Sequence, residues 1–289
     1  QFTESRVMQR LAPHLDPRAP KRFLLAGGLF ANIRVNGVLA AHPGCAGVVV
    51  FPNMGDGGLS AGAAQVAWMR RGGLPAMAGD DWFLGTNPDP TAMERAARES
   101  GRPWRRVDDP TAAMARRIAR GEIVARYDGR DEFGPRALGN RSILFSPADP
   151  SLGQRVNRAL DRDDFMPFGP AVLDGVASLW DPPLDGTDRT TMTVAVSATA
   201  GFARDCPGAV HLDGTTRPQA VPPSNPGLFA VLEHHRELTG LPGVINTSFN
   251  RHGEPIVHTP AQAVRTFLAA GLDALYLGDL EVEGGDARS

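Results

Sequence analysis

Two short apolar runs, each ending in a turn that precedes a helix, restrict the first part of the chain to an α/β fold. Residues 22–28 (RFLLAGG) and 47–52 (GVVVFP) are typical of buried strands. Residues 29–41, between them, have the apolar spacing of a helix, and an alanine-rich helix is predicted after the glycine turn that starts at residue 53. This strand–helix–strand–helix order predicts a sheet with helices packed on it.

A proline-containing polar stretch separates this region from the rest of the chain. Residues 85–110 hold four prolines around a short polar helix, which makes them the best candidate boundary. We therefore expect one unit over residues 1–90, a linker over 91–109 and a second domain over 110–289. In the second domain, strands of mixed spacing alternate with helices, and this predicts a mixed sheet with helical cover.

The composition argues against several classes of protein. The net charge is −2 and the pI is near 6.4, without a basic stripe, so no nucleic-acid partner is expected. No apolar run is long enough to cross a bilayer and no secretion signal is present, so we expect a cytoplasmic protein without membrane contact. Lys21 is the only lysine. An oxyanion would therefore be held by arginine, whose planar fork suits carboxylates and phosphates.

Residues 129–144 (GRDEFGPRALGNRSIL) crowd three arginines beside glycine and proline directly before a predicted strand. The arginines are Arg130, Arg136 and Arg141. One interpretation is a solvated loop with salt bridges, and the other is a preorganised anion site. In the second interpretation Glu132 holds one arginine, and the others face a cavity as forks for a phosphate or a carboxylate.

Two later motifs favour the anion site. Residues 211–219 (HLDGTTRPQ) carry His211, Asp213 and Arg217 around a glycine turn. Residues 245–257 (INTSFNRHGEPIV) place small polar side chains directly after a buried strand: Asn246, Thr247, Ser248 and Asn250. Such residues are poor core material but well suited to hydrogen-bond a polar ligand. The two histidines of the predicted helix over 227–239, His234 and His235, are expected on its surface.

The two glycine turns of the first region are weaker candidates. Gly27 and Gly28 permit close approach of the backbone to a ligand, and Asn32 lies on the following helix. The second turn, which includes Gly57, exposes backbone N–H groups at a helix start, an arrangement that favours phosphate. Within it, Asp56 is either a ligand for a metal or a ribose hydroxyl, or a helix cap.

The three motifs at 129–144, 211–219 and 245–257 resemble, in this order, the C-terminal domain of the O-carbamoyltransferases that modify antibiotics and nodulation factors. The earlier segments AGGLFANIRVN and FPNMGDGGLSAGAA resemble the second half of that family's actin/sugar-kinase-like domain. The resemblance covers nearly the whole chain. It implies an α/β protein with a partial actin/sugar-kinase-like (ASKHA) half-domain followed by a YrdC-like mixed α/β domain.

The resemblance also implies a two-step reaction. ATP, with Mg²⁺, and carbamoyl phosphate would form carbamoyl adenylate, and the carbamoyl group would pass to a hydroxyl of a small-molecule acceptor, a natural product or a sugar. The implied catalytic residues are Arg130, Arg136, Arg141 and Arg217. The implied nucleotide- and substrate-binding residues are Arg162, Ser248, Asn250, Asn246, Gly27, Gly28, Asn32 and Gly57.

The chain departs from the family pattern at two cationic positions. The family's Lys-x-Arg element is Leu160-x-Arg162 here, and Met166 replaces the arginine of its Phe-Arg-Pro-Phe element. At about 1.5–3 kcal/mol per charged hydrogen bond, two lost cations predict weaker anion stabilisation. The alternative function is therefore a non-catalytic binding subunit of a split carbamoyltransferase. A tRNA-modifying relative is a third interpretation, which the near-neutral charge disfavours.

A second departure concerns the metal. The first half of the actin-like domain, with its histidine-rich motif, is not found in this sequence. The resemblance makes Asp56 a ligand of Fe²⁺ or another divalent metal, whose histidine ligands would come from a partner chain. An uncovered sheet edge and apolar face also predict a protein partner that supplies this half.

Overall fold

The computed structural model describes residues 2–74, 82–162, 168–175, 179–181 and 184–285. The N-terminal unit contains α1 (Phe2–Leu11), β1 (Lys21–Leu25), α2 (Ile33–Ala40), β2 (Cys45–Val50) and α3 (Leu59–Arg70). β1 and β2 pair in parallel, with Phe23 opposite Val48. α2 begins where the Asn32 side chain accepts hydrogen bonds from the backbone of Arg34 and Val35, as expected for an asparagine N-cap. The predicted strand–helix–strand–helix order is thus confirmed.

The rest of the described chain forms a larger domain. Its helices are α4 (Pro90–Glu99), α5 (Pro110–Ala119), α6 (Pro150–Ala159), α7 (Ala200–Asp205), α8 (Pro226–Thr239) and α9 (Pro260–Ala270). Its strands are β3 (Trp104–Arg106), β4 (Val124–Tyr127), β5 (Arg141–Phe145), β6 (Gly169–Leu173), β7 (Val196–Ser197), β8 (Thr215–Thr216), β9 (Gln219–Val221), β10 (Gly243–Ser248), β11 (Ala274–Leu277) and β12 (Leu280–Glu283).

Eight of these strands form one mixed sheet. Their order is β3-β12-β11-β4-β5-β10-β6-β9. The pairs β4–β11 and β6–β9 are parallel and the remaining pairs are antiparallel. The predicted mixed α/β architecture with helical cover is therefore confirmed. The motifs at 129–144, 211–219 and 245–257 lie on or next to the strands β5, β10 and β6, which are neighbours in the sheet. The three motifs are therefore close together in the fold.

The linker predicted over residues 91–109 is wrong. α4 is an amphipathic helix that begins at the Asp89 cap and buries Met93, Ala96 and Ala97. It packs on α9 and β12, and β3 pairs with β12. Because α4 buries one apolar face and β3 completes the edge of the sheet, this segment belongs to the larger domain. Its proline signals mark the start of a helix rather than a flexible connection.

The N-terminal unit is held on the larger domain by buried backbone contacts. The Val48 N–H donates to Thr187 Oγ1 (3.2 Å), and the Asp188 N–H donates to the Val48 carbonyl (2.8 Å). Asn36 is fully buried and donates to the carbonyl of Thr193 (2.7 Å). One hydrophobic core runs through both parts, so the N-terminal unit and the larger domain pack directly on each other.

A second hydrophobic cluster lies between the sheet and the helices α5 and α8. Among the described residues, no helix is long and apolar enough to cross a bilayer. The predicted surface position of His235 is wrong, because this side chain is fully buried on the inner face of α8. His234, one residue earlier, is partly exposed, in agreement with the prediction for that residue.

Burial of His235 predicts a loss of stability in acid. Burial lowers the pKa of the imidazole to about 4, below its ordinary value near 6.5. The unfolded chain therefore binds the proton first, so the free energy of unfolding falls as the pH drops from 7 towards 4. We expect His235 to account for about 2 kcal/mol of the loss between pH 7 and pH 5.

Urea unfolding of the wild type and of His235→Leu over this pH range measures the effect. The variant should lose less stability on acidification than the wild type, whereas His234→Leu should follow the wild type. Parallel pH profiles for all three proteins would contradict the prediction.

Candidate functional site

Two adjoining cavities lie where the three motifs meet. The larger, of about 660 Å³, lies between the N-terminal unit and the larger domain. The smaller, of about 260 Å³, lies at the end of β10. Arg136, Phe168 and Arg217 line both cavities. We call the smaller one the arginine cavity, because Arg162 also lines it.

Arg162 is held rigidly at the wall of the arginine cavity. Its guanidinium donates to Thr247 Oγ1 (2.9 Å), to the Ser248 carbonyl (2.8 Å) and hydroxyl (3.1 Å), and to the Asn250 carbonyl (2.9 Å) and Oδ1 (3.0 Å). All five acceptors are neutral. Burial lowers the pKa of Arg162 to about 10, so the group is still charged at neutral pH. The arrangement fixes a cation without neutralising it.

Arg136 and Arg217 are also cations whose charge no described acidic residue neutralises. Both are partly buried, and neither forms an ion pair within the ranges that the structure describes. The Nε of each is buried without a hydrogen-bond partner. Burial lowers the pKa of both groups, and for Arg217 the positive charge of Arg136 adds to this effect and brings the value to about 9. Two neighbouring cations without a carboxylate partner among the described residues have the chemistry to hold an anion.

The loop between β4 and β5 directs Arg136 into the cavity. Glu132 Oε1 accepts hydrogen bonds from the backbone N–H groups of Leu138 (2.9 Å), Asn140 (2.8 Å) and Arg141 (3.1 Å). These bonds fold the segment back on itself around one carboxylate oxygen. Glu132 thus binds backbone instead of the arginine side chain that the sequence predicted for it.

Arg141, a predicted catalytic residue, does not line either cavity and lies in the interior. Its Nε is 2.9 Å from Asp131 Oδ1, and its guanidinium stacks over the Tyr127 ring at 3.9 Å. It also donates to the carbonyls of Asp128 and Gly129. Its charge is neutralised locally by Asp131, so Arg141 is not one of the arginines that face a cavity, as the anion-site interpretation expected.

Arg130, also predicted to be catalytic, is exposed and lies outside both cavities. Its Nε donates to the Gly85 carbonyl (2.7 Å) and its Nη2 to the Leu84 carbonyl (3.2 Å). It therefore fixes the segment that connects the two parts of the protein. Of the four arginines predicted to be catalytic, the structure brings together Arg136 and Arg217 and adds Arg162 to them.

The polar residues of the 245–257 motif line the arginine cavity. Asn246, Thr247 and Ser248 lie within β10 rather than after a strand, because β10 extends to Ser248. Ser248 and Asn250 line the cavity and orient Arg162, as described above. Asn246 is buried and donates to Gln219 Oε1 (2.7 Å) and to the Ala137 carbonyl (3.2 Å). It thereby ties β10 to β9 and to the residue next to Arg136.

The 211–219 motif borders the larger cavity. His211 lines this cavity, and its Nδ1 lies 2.9 Å from Thr215 Oγ1. Burial and the charge of Arg217 lower the pKa of the imidazole. Asp213 forms an ion pair with Arg34, which joins the rim of the cavity to α2.

The glycine turns of the N-terminal unit stand apart from the arginine cavity. Asn32 lines the larger cavity. Gly27, Gly28 and Gly57 line neither of the two cavities. Asp56 is exposed at the start of a short 3-10 turn. Among the described residues, no three histidine, cysteine, aspartate or glutamate side chains are grouped so that they could hold a metal ion, so Asp56 by itself does not make a metal centre.

Leu160 and Met166 are the two positions at which this chain lacks a basic residue of the family pattern. Leu160 is fully buried in the hydrophobic core and does not face the anion. Its carbonyl accepts a hydrogen bond from the His252 N–H (2.8 Å). The interpretation of Leu160 as a cation lost from the site is therefore wrong. Met166 lies outside the described residues.

The sequence analysis missed Phe168 and Asn157. Phe168 forms the wall common to both cavities and packs edge-on against Phe145, with ring centroids 5.3 Å apart. Asn157 lines the larger cavity and is buried, with Oδ1 lacking a hydrogen-bond partner. A polar residue at helical spacing within the apolar face of α6 was the available signal for Asn157.

Comparison with known proteins places the chain among carbamoyltransferases. The family model "Carbamoyltransferase C-terminus" matches residues 115–283. The nodulation protein NolO of Bradyrhizobium diazoefficiens is 34% identical over 279 residues, which are 94% of this chain and 51% of NolO. The uncharacterized protein MJ1058 of Methanocaldococcus jannaschii is 33% identical over 280 residues, 89% of this chain and 43% of that protein. The chain thus spans about half the length of these curated relatives.

Solved structures show weaker likeness. Full-length HypF in a phosphate- and nucleotide-bound form superposes with a TM-score of 0.41 at 15% identity, covering 62% of this chain and 22% of HypF. HypF of T. kodakarensis gives a TM-score of 0.39 at 17% identity, covering 60% of this chain and 20% of that one. The fold assignment therefore rests on the sheet topology itself.

The position of Leu160 predicts the effect of restoring the family's lysine. Leu160→Lys would bury an ammonium group in the core, and we expect it to lower the free energy of unfolding by about 3 kcal/mol or more without tightening phosphate binding. Leu160→Met, which conserves volume, should cost less than about 1.5 kcal/mol. Urea unfolding and phosphate titration measure both quantities. A stable lysine variant with tighter phosphate binding would show that this side chain faces the anion after all.

Proposed function

The chain belongs to the carbamoyltransferase C-terminus family, and from this we propose that its arginine cavity binds carbamoyl phosphate and the phosphates of ATP. We propose that water hydrolyses carbamoyl phosphate there to carbamate and phosphate, and that a carbamate oxygen then attacks the α-phosphate of ATP, which forms carbamoyl adenylate and releases pyrophosphate. The carbamoyl group then passes to a hydroxyl of a small-molecule acceptor, a natural product or a sugar, with AMP as the leaving group and release of the hydroxyl proton. The observation that carries this proposal is a group of three guanidinium groups, on Arg136, Arg162 and Arg217, that line one cavity and have no carboxylate partner among the described residues.

The energetics of burial favour an anionic ligand. A partly buried cation without a partner loses hydration that nothing in the protein replaces. A phosphate restores the lost interactions, because each guanidinium offers paired N–H donors that match two phosphate oxygens. Since Arg162 is already fixed by five neutral acceptors, its binding geometry needs no reorganisation when the ligand arrives.

Catalysis in this site would be electrostatic. In this proposal Arg136 and Arg217 contact the phosphates of carbamoyl phosphate and ATP, on which negative charge would accumulate during the reaction. Preorganised donors lower the energy of such a transition state. Mg²⁺ would arrive bound to the ATP phosphates. Arg136 and Arg217 also line the larger cavity, whose volume of about 660 Å³ suits a nucleoside.

The alternative function is a non-catalytic binding subunit that has lost adenylation chemistry. This alternative depended on two lost cations, at Leu160 and Met166. Since Leu160 faces the core, only Met166 still supports it. The three remaining arginines favour the catalytic function.

We also propose a protein partner that covers the N-terminal unit. Large apolar side chains are exposed on this unit, with exposures of 79% for Leu24, 54% for Trp68 and 52% for Met69. α3 has no buried residue. Because curated relatives are about twice as long as this chain, the proposed partner is a polypeptide like the part of NolO that this chain does not match. A divalent metal at Asp56 would take its remaining ligands from that polypeptide.

The first prediction concerns Arg136. We expect carbamoyl phosphate to raise the melting temperature of the wild type and to have little effect on Arg136→Ala, because a ligand stabilises only the state that binds it. Arg236→Ala, at an exposed position on α8, is the matched control and should keep the full shift. An equal ligand-induced shift in the Arg136 variant would rule out the anion site.

The second prediction concerns the partner. Co-expression with the unmatched part of NolO should give a complex on size-exclusion chromatography, and burial of Trp68 should shift its fluorescence to shorter wavelength. Trp68→Phe identifies the signal of this residue among the four tryptophans of the chain. A monomer with unchanged Trp68 emission, or one that transfers carbamoyl groups unaided, would contradict the proposal.

A further inference from the structure

An aromatic contact links the N-terminal unit to the loop that carries Arg136. Phe51, directly after β2, meets Phe133 edge-on with ring centroids 5.8 Å apart. Phe51 also packs edge-on against Trp82, with ring centroids 6.2 Å apart. Edge-to-face pairs at these separations are attractive and restrict the orientation of both rings. Phe133 lies only three residues before Arg136.

The backbone reinforces this contact. The Phe133 N–H donates to the Trp82 carbonyl (2.7 Å), and the Gly85 N–H donates to the Asp131 carbonyl (3.0 Å). Gly134 has φ = 122°, and a Cβ there would lie 2.8 Å from the Pro52 carbonyl oxygen. Only glycine fits such a close approach with positive φ. The loop before Arg136 therefore lies tightly against the segment that follows β2.

Phe51 also lies against the glycine turn at residues 53–58. A Cβ at Gly58 would lie 2.9 Å from Phe51 Cε1 and 2.1 Å from the Asn53 carbonyl oxygen. The Gly27 N–H donates to the Met54 carbonyl (2.7 Å), which fixes the turn to the end of β1. The glycine turn, Phe51 and Phe133 thus pack in series, and Arg136 follows Phe133 by three residues in the same loop.

From this packing we infer that Phe51 and Phe133 are positioning residues for the arginine cavity, and that they couple the glycine turn at 53–58 to the anion affinity of Arg136. The inference rests on the proposed function of that cavity. Neither ring lines the cavity, so both act through the loop. A change in the glycine turn would move Phe51. The loop that carries Arg136 would follow, because Phe133 packs against Phe51 and Gly134 lies against Pro52.

Phosphate binding to single and double variants tests the coupling. Phe133→Leu and Phe51→Leu should each weaken the binding of inorganic phosphate by about tenfold, since a displaced arginine loses its geometry with the anion. The double variant should be about as weak as either single one, whereas independent effects would give a loss of about a hundredfold. The matched control is Phe229→Leu, at a partly buried position against the other hydrophobic cluster. It should keep the wild-type affinity even where it lowers the melting temperature.

Hydrogen exchange measured by mass spectrometry tests the same inference without any ligand. Phe51→Leu should speed exchange of the Leu138, Asn140 and Arg141 amides that Glu132 holds, although they lie far from Phe51 in sequence. Unchanged exchange in this segment, an additive double variant, or an equal affinity loss in Phe229→Leu would overturn the inference. Absence of phosphate binding by the wild type would instead refute the proposed function, and the exchange measurement would still decide whether the two regions are coupled.

Discussion

One carboxylate, that of Glu132, organises the loop on which the candidate site depends. Its Oε1 accepts three backbone hydrogen bonds, from the N–H groups of Leu138, Asn140 and Arg141. An ionised acceptor makes each of these bonds stronger than a neutral one would be. Because the loop is folded around this oxygen, Arg136 points into the cavity while Arg141, five residues later, points into the interior. The same short segment therefore supplies one cation to the arginine cavity and one to the interior.

The arginines of the larger domain fall into two groups that differ in how their charge is compensated. Arg117 contacts Glu122, Glu281 and Glu283, and Arg155 contacts Asp273. These pairs stabilise the outer side of the sheet. Arg136, Arg162 and Arg217 instead meet neutral groups or no partner at all within the described residues. The contrast matters because the chain has 32 acidic residues, yet none of those that the structure describes forms an ion pair with these three cations.

The N-terminal unit contributes to this site through packing rather than through ligands. Asn32 borders the larger cavity, and Phe51 supports the loop that carries Arg136. The ion pair between Arg34 and Asp213 joins α2 to the rim of the same cavity. The two parts of the protein therefore share one functional region, and removal of either would leave the cavity without a wall.

The sequence by itself determined the α/β class and the strand–helix order of the N-terminal unit, because these depend on local periodicity and turn residues. It located the polar cluster at the end of a buried strand, although β10 includes most of that cluster. It also identified arginine as the cation of the site, since Lys21 is the only lysine. Only the tertiary structure decided which arginines face the cavity. Arg136 and Arg141 look alike in the sequence, and their environments differ because Glu132 and Asp131 lie on particular sides of a folded loop. Burial of Leu160 and His235 was likewise decided by which helix face meets the core, a long-range packing choice that the local pattern did not specify.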